Sequence, residues 1–192
     1  MRAVFLDRDG VLSEPVVRDG RPYPPSGLDE LTIAPRAQPS LARLKQLGFL
    51  LLVVTNQPDV RRGTSTQAEV ERINRRLAEE LPLDDFFVCY HDDSDRCDCR
   101  KPLPGLLLEA ASQYAVDLKT SYMVGDRWRD IDAGFAAGCR TILIDRHYNE
   151  REPQARPDCI VQSLAEACDW ILTQEAARPI EKRPGVREDY PI

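Results

Sequence analysis

Residues 1–15 read MRAVFLDRDGVLSEP. The apolar run Ala3-Val4-Phe5-Leu6 leads directly into Asp7 and Asp9, and Gly10 follows at once. A run this short, bounded by polar residues and glycine, reads as a buried strand. Side chains alternate in an extended segment, which places Asp7 and Asp9 on one side and Arg8 opposite. Gly10 admits a turn at close range that a residue with a Cβ resists. Neighbouring carboxylates repel, so either the strand simply ends in polar loop residues or a positive charge sits between them.

The same pattern recurs along the chain. Apolar runs at 49–54, 86–89, 121–124 and 140–144 repeat the pattern of 2–6. Between them, 37–47, 66–81, 104–115 and 129–137 carry the helical period. Gly48 is a C-terminal stop for the first of these, and Thr64 or Thr66 an N-cap for the second. Buried strands alternating with helices predict an α/β fold, a doubly wound, Rossmann-like parallel sheet covered on both faces. Ligands bind beyond the carboxyl ends of the strands in such sheets. The residues standing there are Asp7 and Asp9, then Thr55 and Asn56, then a cysteine cluster, then Gly125 and Asp126. Two stretches fall outside the pattern. Residues 13–35, rich in Pro, Gly and charge, read as one long loop, and 177–192 as an extended tail behind a domain spanning 1–176.

The chain has 192 residues, 42% apolar and 30% charged, with a net charge of −6. That is the composition of a soluble globular protein. The acidic balance argues against nucleic acid and anionic membranes as partners. No apolar run approaches the ~18–20 residues of a membrane span, and no basic, apolar leader opens the chain, so the expected compartment is the cytoplasm. The size fits a monomer and permits a homodimer.

Asp126 follows its own apolar run, Tyr122-Met123-Val124, and a glycine. Three carboxylates at one sheet edge require a cation, and hard oxygen donors without histidine point to Mg²⁺, which tends to bind together with a phosphate. Asp130, one helical turn on, falls on the same face and could hydrogen-bond the site from behind. A metal-bound aspartate facing a phosphate can act as a nucleophile, and a second carboxylate can shuttle the proton. Thr55 offers a hydroxyl, and Arg100 and Lys101 offer positive charge for the transferring phosphoryl group.

Residues 89–99 read CYHDDSDRCDC. Cys89 and His91 form one close pair, Cys97 and Cys99 another, a set that suits tetrahedral Zn²⁺ with no open position. The plainer alternative is three reduced thiols in a polar loop; a disulfide is disfavoured in a cytosolic chain. Zinc there would fix the loop that ends in Arg100-Lys101. Cys139, Cys159 and Cys168 lie among apolar neighbours and read as small core residues.

Taken in order, FLDRDG, VVTNQ, CDCRKP and MVGD resemble the haloacid-dehalogenase (HAD) superfamily of phosphatases. Within it, they are most similar to the capless branch that holds histidinol-phosphate and heptose-bisphosphate phosphatases. The resemblance spans residues 2–145 and implies a Mg²⁺-dependent phosphomonoester hydrolase. It implies Asp7 as nucleophile, Asp9 as general acid and base, and Thr55 and Lys101 as supports of the phosphoryl group. Mg²⁺ would be held by the Asp7 carboxylate, the Asp9 carbonyl and Asp126, and zinc would be structural. Arg100 would help to recognise substrate, with Asn56, Arg62 and Arg127 as further contacts. TNQPDVRRG is similar to the heptose-bisphosphate enzymes, whereas the short zinc loop, SEP after the first motif and Arg127 are similar to histidinol-phosphate phosphatases. The expected substrate is a small phosphorylated metabolite, a sugar phosphate or bisphosphate first and histidinol phosphate second. Loop 13–30 would lie over the mouth of the site.

Overall fold

A computed structural model describes residues 1–18 and 21–177. In chain order its strands are β1 (Ala3–Leu6), β2 (Val16–Arg18), β3 (Arg21–Tyr23), β4 (Leu50–Asn56), β5 (Asp85–Cys89), β6 (Tyr122–Gly125), β7 (Arg140–Ile144) and β8 (Cys159–Val161). Its helices are α1 (Ala37–Gln46), α2 (Pro58–Arg61), α3 (Gln67–Glu80), α4 (Gly105–Tyr114), α5 (Trp128–Ala137) and α6 (Leu164–Ala176). Six strands form one sheet in the order β5-β4-β1-β6-β7-β8, every pairing parallel.

β1 lies at the centre, with Ala3 opposite Leu50 and Val4 opposite Tyr122. All four of its side chains are buried because the pleat sends them alternately to two cores. Val4 and Leu6 pack with Leu41 and Leu44 of α1, Leu77 of α3 and Ile171 of α6. Ala3 and Phe5 pack with Leu106 and Leu107 of α4 and Ala133 of α5. Burying each such leucine or phenylalanine contributes about 1.5–3 kcal/mol, so the carboxyl edge of β1 is a rigid platform.

Local chemistry sets the helix ends. The Thr66 hydroxyl accepts from the Glu69 amide at 3.2 Å and starts α3. Gly138, at φ +86°, ends α5 in the left-handed region that glycine adopts at no steric cost. Among the described residues no helix is long and apolar enough to cross a membrane.

Three features differ from the sequence reading. The stretch 13–35 is not one loop, for it contains the antiparallel ribbon of β2 and β3, with Val16 opposite Tyr23. The sheet also continues past residue 144, where β8 and α6 add a further unit; Ser163 caps α6, accepting from the Glu166 amide at 3.2 Å. Cys139 and Cys168 are core residues as expected, but Cys159, on the edge strand, is only half-buried. The tail expected over 177–192 lies outside the described residues from 178 onward.

Candidate active site

Beyond the carboxyl ends of β1, β4 and β6, a cavity of about 480 Å³ opens over Asp7, Asp9, Thr55, Asn56, Lys101 and Asp130. The Asp7 amide donates to the Val124 carbonyl at 3.0 Å, which continues the β1–β6 pairing and fixes where the side chain begins. Gly10 then turns at φ +89°. A Cβ there would stand 1.7 Å from Asp126 Oδ2, so only glycine lets the two loops meet.

Asp7, Asp126 and Asp130 offer carboxylate oxygens within 4.8 Å of one another, all on buried residues. Burial pushes the Asp7 carboxyl up to about 6; Lys101 opposes that shift and Asp130 adds to it. Asp126 is held well above the usual carboxylate range by burial, then by the charges of Asp7 and Asp130. Its Oδ2 accepts from the Tyr148 hydroxyl at 2.8 Å, while Oδ1 is buried without a partner. A buried, unpartnered oxygen among crowded acids fits a hard divalent cation.

Lys101, 1% exposed, is the organic counter-charge. Its Nζ stands 2.9 Å from Asp7 Oδ1, 2.5 Å from Asp130 Oδ1 and 2.8 Å from the Val54 carbonyl. Burial alone would lower its pKa, but Asp130 and Asp7 more than offset this and raise it. The Asn56 side-chain amide is used up on the same residue: it donates to the Lys101 carbonyl at 3.0 Å and accepts from its amide at 3.1 Å.

The alternation expected across Asp7, Arg8 and Asp9 stops where β1 stops, at Leu6. Arg8 is buried and curls back, Nε donating to Asp9 Oδ1 at 3.0 Å and NH2 to Oδ2 at 2.9 Å. Gln57 completes the network, its Nε2 2.8 Å from Asp9 Oδ2 and 3.0 Å from Thr55 Oγ1. The Asp9 carboxylate thus stands outside the group of three yet faces the same cavity.

Around the mouth, Pro22, Tyr23 and Pro24 from the ribbon region line the cavity with Arg62, Arg127, Arg129 and Arg151. Each of these arginines is paired. Arg62 NH2 meets Asp92 at 2.6 Å, Arg127 Nε meets Glu150 at 3.0 Å, and Arg129 and Arg151 meet Asp93 and Asp132 at 3.2 Å each. The Arg129 and Arg151 guanidiniums also stand over the Trp128 ring, 4.5 and 3.4 Å from its centroid. Arg100, expected at the substrate, does not line the cavity: Nε donates to Asp93 at 2.8 Å and NH1 to the His91 carbonyl at 3.2 Å. The acidic residues of its own loop claim it.

That loop gathers Cys89, His91, Cys97 and Cys99 with donor atoms 3.1–3.7 Å apart. Two thiolates about 2.3 Å from a tetrahedral zinc would stand ~3.8 Å apart, so the set fits that ion. No disulfide forms among the six cysteines. Burial, then crowding by Cys89 and Cys97, pushes the Cys99 thiol far up.

Sequence reasoning missed Gln57, Arg146, Tyr148 and Arg151. Gln57 sat within the quoted TNQ stretch; the others come from a loop that carries no motif.

The family model described as HAD-hydrolase-like matches residues 98–167. The D-glycero-β-D-manno-heptose-1,7-bisphosphate 7-phosphatase of Escherichia coli K12 is 33% identical over 189 residues, covering 92% of this chain and 91% of that protein. The protein of the same name from Pseudomonas aeruginosa is 36% identical over 148 residues, covering 73% and 79%. The crystal structure of D,D-heptose 1,7-bisphosphate phosphatase from B. bronchiseptica, complexed with magnesium and phosphate, superposes with a TM-score of 0.77 at 31% identity, covering 91% of this chain and 99% of that one. Likeness of this extent, in sequence and in fold, means that the chain belongs to the HAD superfamily of phosphatases.

Proposed function

We propose that this phosphatase hydrolyses a sugar bisphosphate of the D-glycero-D-manno-heptose 1,7-bisphosphate type through a phosphorylated Asp7. The observation that carries the reading is Lys101, buried with its ammonium 2.9 Å from Asp7 beside Thr55, a cation aimed at the place where a phosphoryl group would meet that carboxylate. Asp7 Oδ attacks phosphorus; the bond from phosphorus to the sugar oxygen breaks as Asp9 gives that oxygen its proton. Asp9, now a base, takes a proton from water, which attacks the acyl phosphate and releases inorganic phosphate and the Asp7 carboxylate. Thr55 and Lys101 hold the phosphoryl oxygens through both steps. Gln57 ties Asp9 to Thr55, which keeps the proton shuttle in register with the phosphoryl support.

Asp7, Asp126 and the Asp9 carbonyl would hold Mg²⁺, which supplies charge neutralisation for the phosphoryl oxygens. Cys89, His91, Cys97 and Cys99 would hold Zn²⁺ as a cross-link of loop 89–99, inserted in a domain spanning 1–176. Arg62 and Arg127 would meet the anionic remainder of the substrate, whereas Asn56 and Arg100 serve it from behind, through the Lys101 backbone and the loop. Histidinol phosphate is the second reading, supported by the short zinc loop.

Turnover of both anomers of heptose 1,7-bisphosphate, measured beside histidinol phosphate, tests the assignment. The expected result is a kcat/KM for one bisphosphate anomer at least about 10-fold above histidinol phosphate, since Arg62 and Arg127 are partly exposed and discriminate less than buried partners would. The reverse order would transfer the assignment to histidinol phosphate.

A further inference from the structure

β7 ends at Ile144, and residues 145–158, before β8, carry no motif and no regular element. Three of their side chains, at alternate positions, nevertheless reach three different parts of the site. Arg146 donates to the Gly10 carbonyl from Nε at 3.2 Å and NH2 at 3.0 Å, and its NH1 pairs with Glu14 at 3.1 Å. Tyr148 donates to Asp126 Oδ2 at 2.8 Å. Glu150 accepts from Arg127, the residue after Asp126, at 3.0 Å. The segment is a strap, stapled at both ends, with a phenol at its centre.

The Asp126 carboxylate needs such a hold. The torsion of a carboxylate about its Cβ–Cγ bond is soft, and Asp7 and Asp130 repel it. Of its two oxygens, Oδ2 is fixed by the Tyr148 hydroxyl on the side that Gly10 closes, where even a Cβ would come within 1.7 Å. Oδ1 is left buried and unpartnered. One oxygen is tied so that the other is presented.

We infer that Tyr148 is a positioning residue that sets the affinity of this chain for its divalent cation, by holding Asp126 Oδ2 and leaving Oδ1 to the ion. The inference rests on the reading in which Asp126 is a Mg²⁺ ligand. It does not make Tyr148 a participant in the chemistry, since its hydroxyl touches the carboxylate alone. Partners that orient metal ligands from behind typically change affinity by about 10–100-fold when removed.

Tyr148→Phe keeps the ring and removes only the hydroxyl. Mg²⁺ binding to the metal-free protein is measured by titration calorimetry, well below the melting midpoint of each variant, and by the rise of that midpoint with Mg²⁺. The expected result is roughly 10-fold weaker binding. The Mg²⁺ concentration giving half-maximal phosphate release rises by the same factor, and saturating Mg²⁺ restores kcat with substrate KM unchanged. A role confined to packing would instead lower the metal-free midpoint and leave the Mg²⁺ constant in place, and that outcome overturns the inference. Asp126→Asn is measured in parallel. If it binds Mg²⁺ as the parent does, the metal assignment itself fails; if it loses Mg²⁺ while Tyr148→Phe retains it, the failure belongs to Tyr148 alone.

Discussion

The two metal-ready clusters are built in opposite ways. Asp7, Asp126 and Asp130 are all buried, whereas of the four residues in the sulfur cluster only Cys89 is. The first stands at the ends of β1 and β6 and on the first turn of α5, elements whose side chains fill two cores, so the backbone brings the carboxylates together by itself. The second begins at the end of β5 and continues through a single 3-10 turn, Asp93–Asp95; only its cysteines reach the apolar interior, Cys89 within one core and Cys97 and Cys99 half-buried against it. The stretch between the two cysteine pairs is bound to the body by ion pairs: Arg61 to Asp95, Arg62 to Asp92, Arg100 and Arg129 to Asp93. Exposed pairs contribute only about 0–1 kcal/mol each, less than a structural zinc would. At the rim the fold supplies the geometry and a cation would relieve strain, while in the loop a zinc ion would be the strongest single tie.

The sharpest way to break that contrast is Asp7→Asn. Phosphate release should fall by at least about 1,000-fold, because the carbonyl oxygen of an amide is a far weaker nucleophile than the carboxylate it replaces. The metal-free protein should become more stable at neutral pH rather than less. Burial lifts the Asp7 carboxyl from 3.8 to about 6, so between those values the native state holds a proton that the unfolded chain has given up. Stability therefore falls as pH rises through that window. A midpoint above the parent's at pH 7.5, with the gain vanishing toward pH 4, is the expected pattern. An unchanged or lowered midpoint at pH 7.5 would mean that the rim is not strained without its ion.

Cys99→Ser probes the other half. Bound zinc should drop to the background of a metal analysis, and turnover should fall by about 100-fold, the scale of a misplacement near 1 Å of Lys101 or of the mouth arginines. The melting of the sheet should persist, and new protease cuts should be confined to residues 89–101. If the whole protein melts together, the loop is part of the core and the contrast fails.

The two halves were also unequally legible. Asp7, Thr55, Lys101 and Asp126 could be placed from sequence because each stands at or just past the end of a strand or within a dense motif, and a parallel sheet brings strand ends to one edge. The sulfur cluster was legible because four soft donors in two close pairs have few other uses. Arg100 was not, since nothing in its spacing says that the side chain turns back to Asp93 and His91 rather than toward the substrate. Arg8 was misdirected for a related reason: alternation holds only while the backbone is a strand, and β1 ends two residues earlier. Tyr148 and Arg146 were invisible because their partners lie 22 and 136 residues away and no motif surrounds them. Long-range hydrogen bonds of irregular loops are a product of the finished fold and leave no local pattern.

The smallest expected effect comes from the stretch of mouth where neither mode of construction applies, at Trp128. Its ring carries the guanidiniums of Arg129 and Arg151, each also tied to a carboxylate, so both charges are held over the cavity by one flat surface and one ion pair. A cation over an indole at a half-exposed site contributes about 0.5–1 kcal/mol, and two such contacts are at stake. Trp128→Ala should raise KM for a bisphosphate by roughly 3- to 10-fold, leaving kcat, the zinc content and the Mg²⁺ constant where they were. Trp128→Phe should recover most of the loss, because the ring face and not the indole N–H makes the contact. The effect should shrink for a monophosphate that lacks the second anionic group. An equal rise for both substrates would show that the stack merely shapes the opening. A rise confined to the bisphosphate would show that this rim, fixed by neither core nor metal, carries the discrimination.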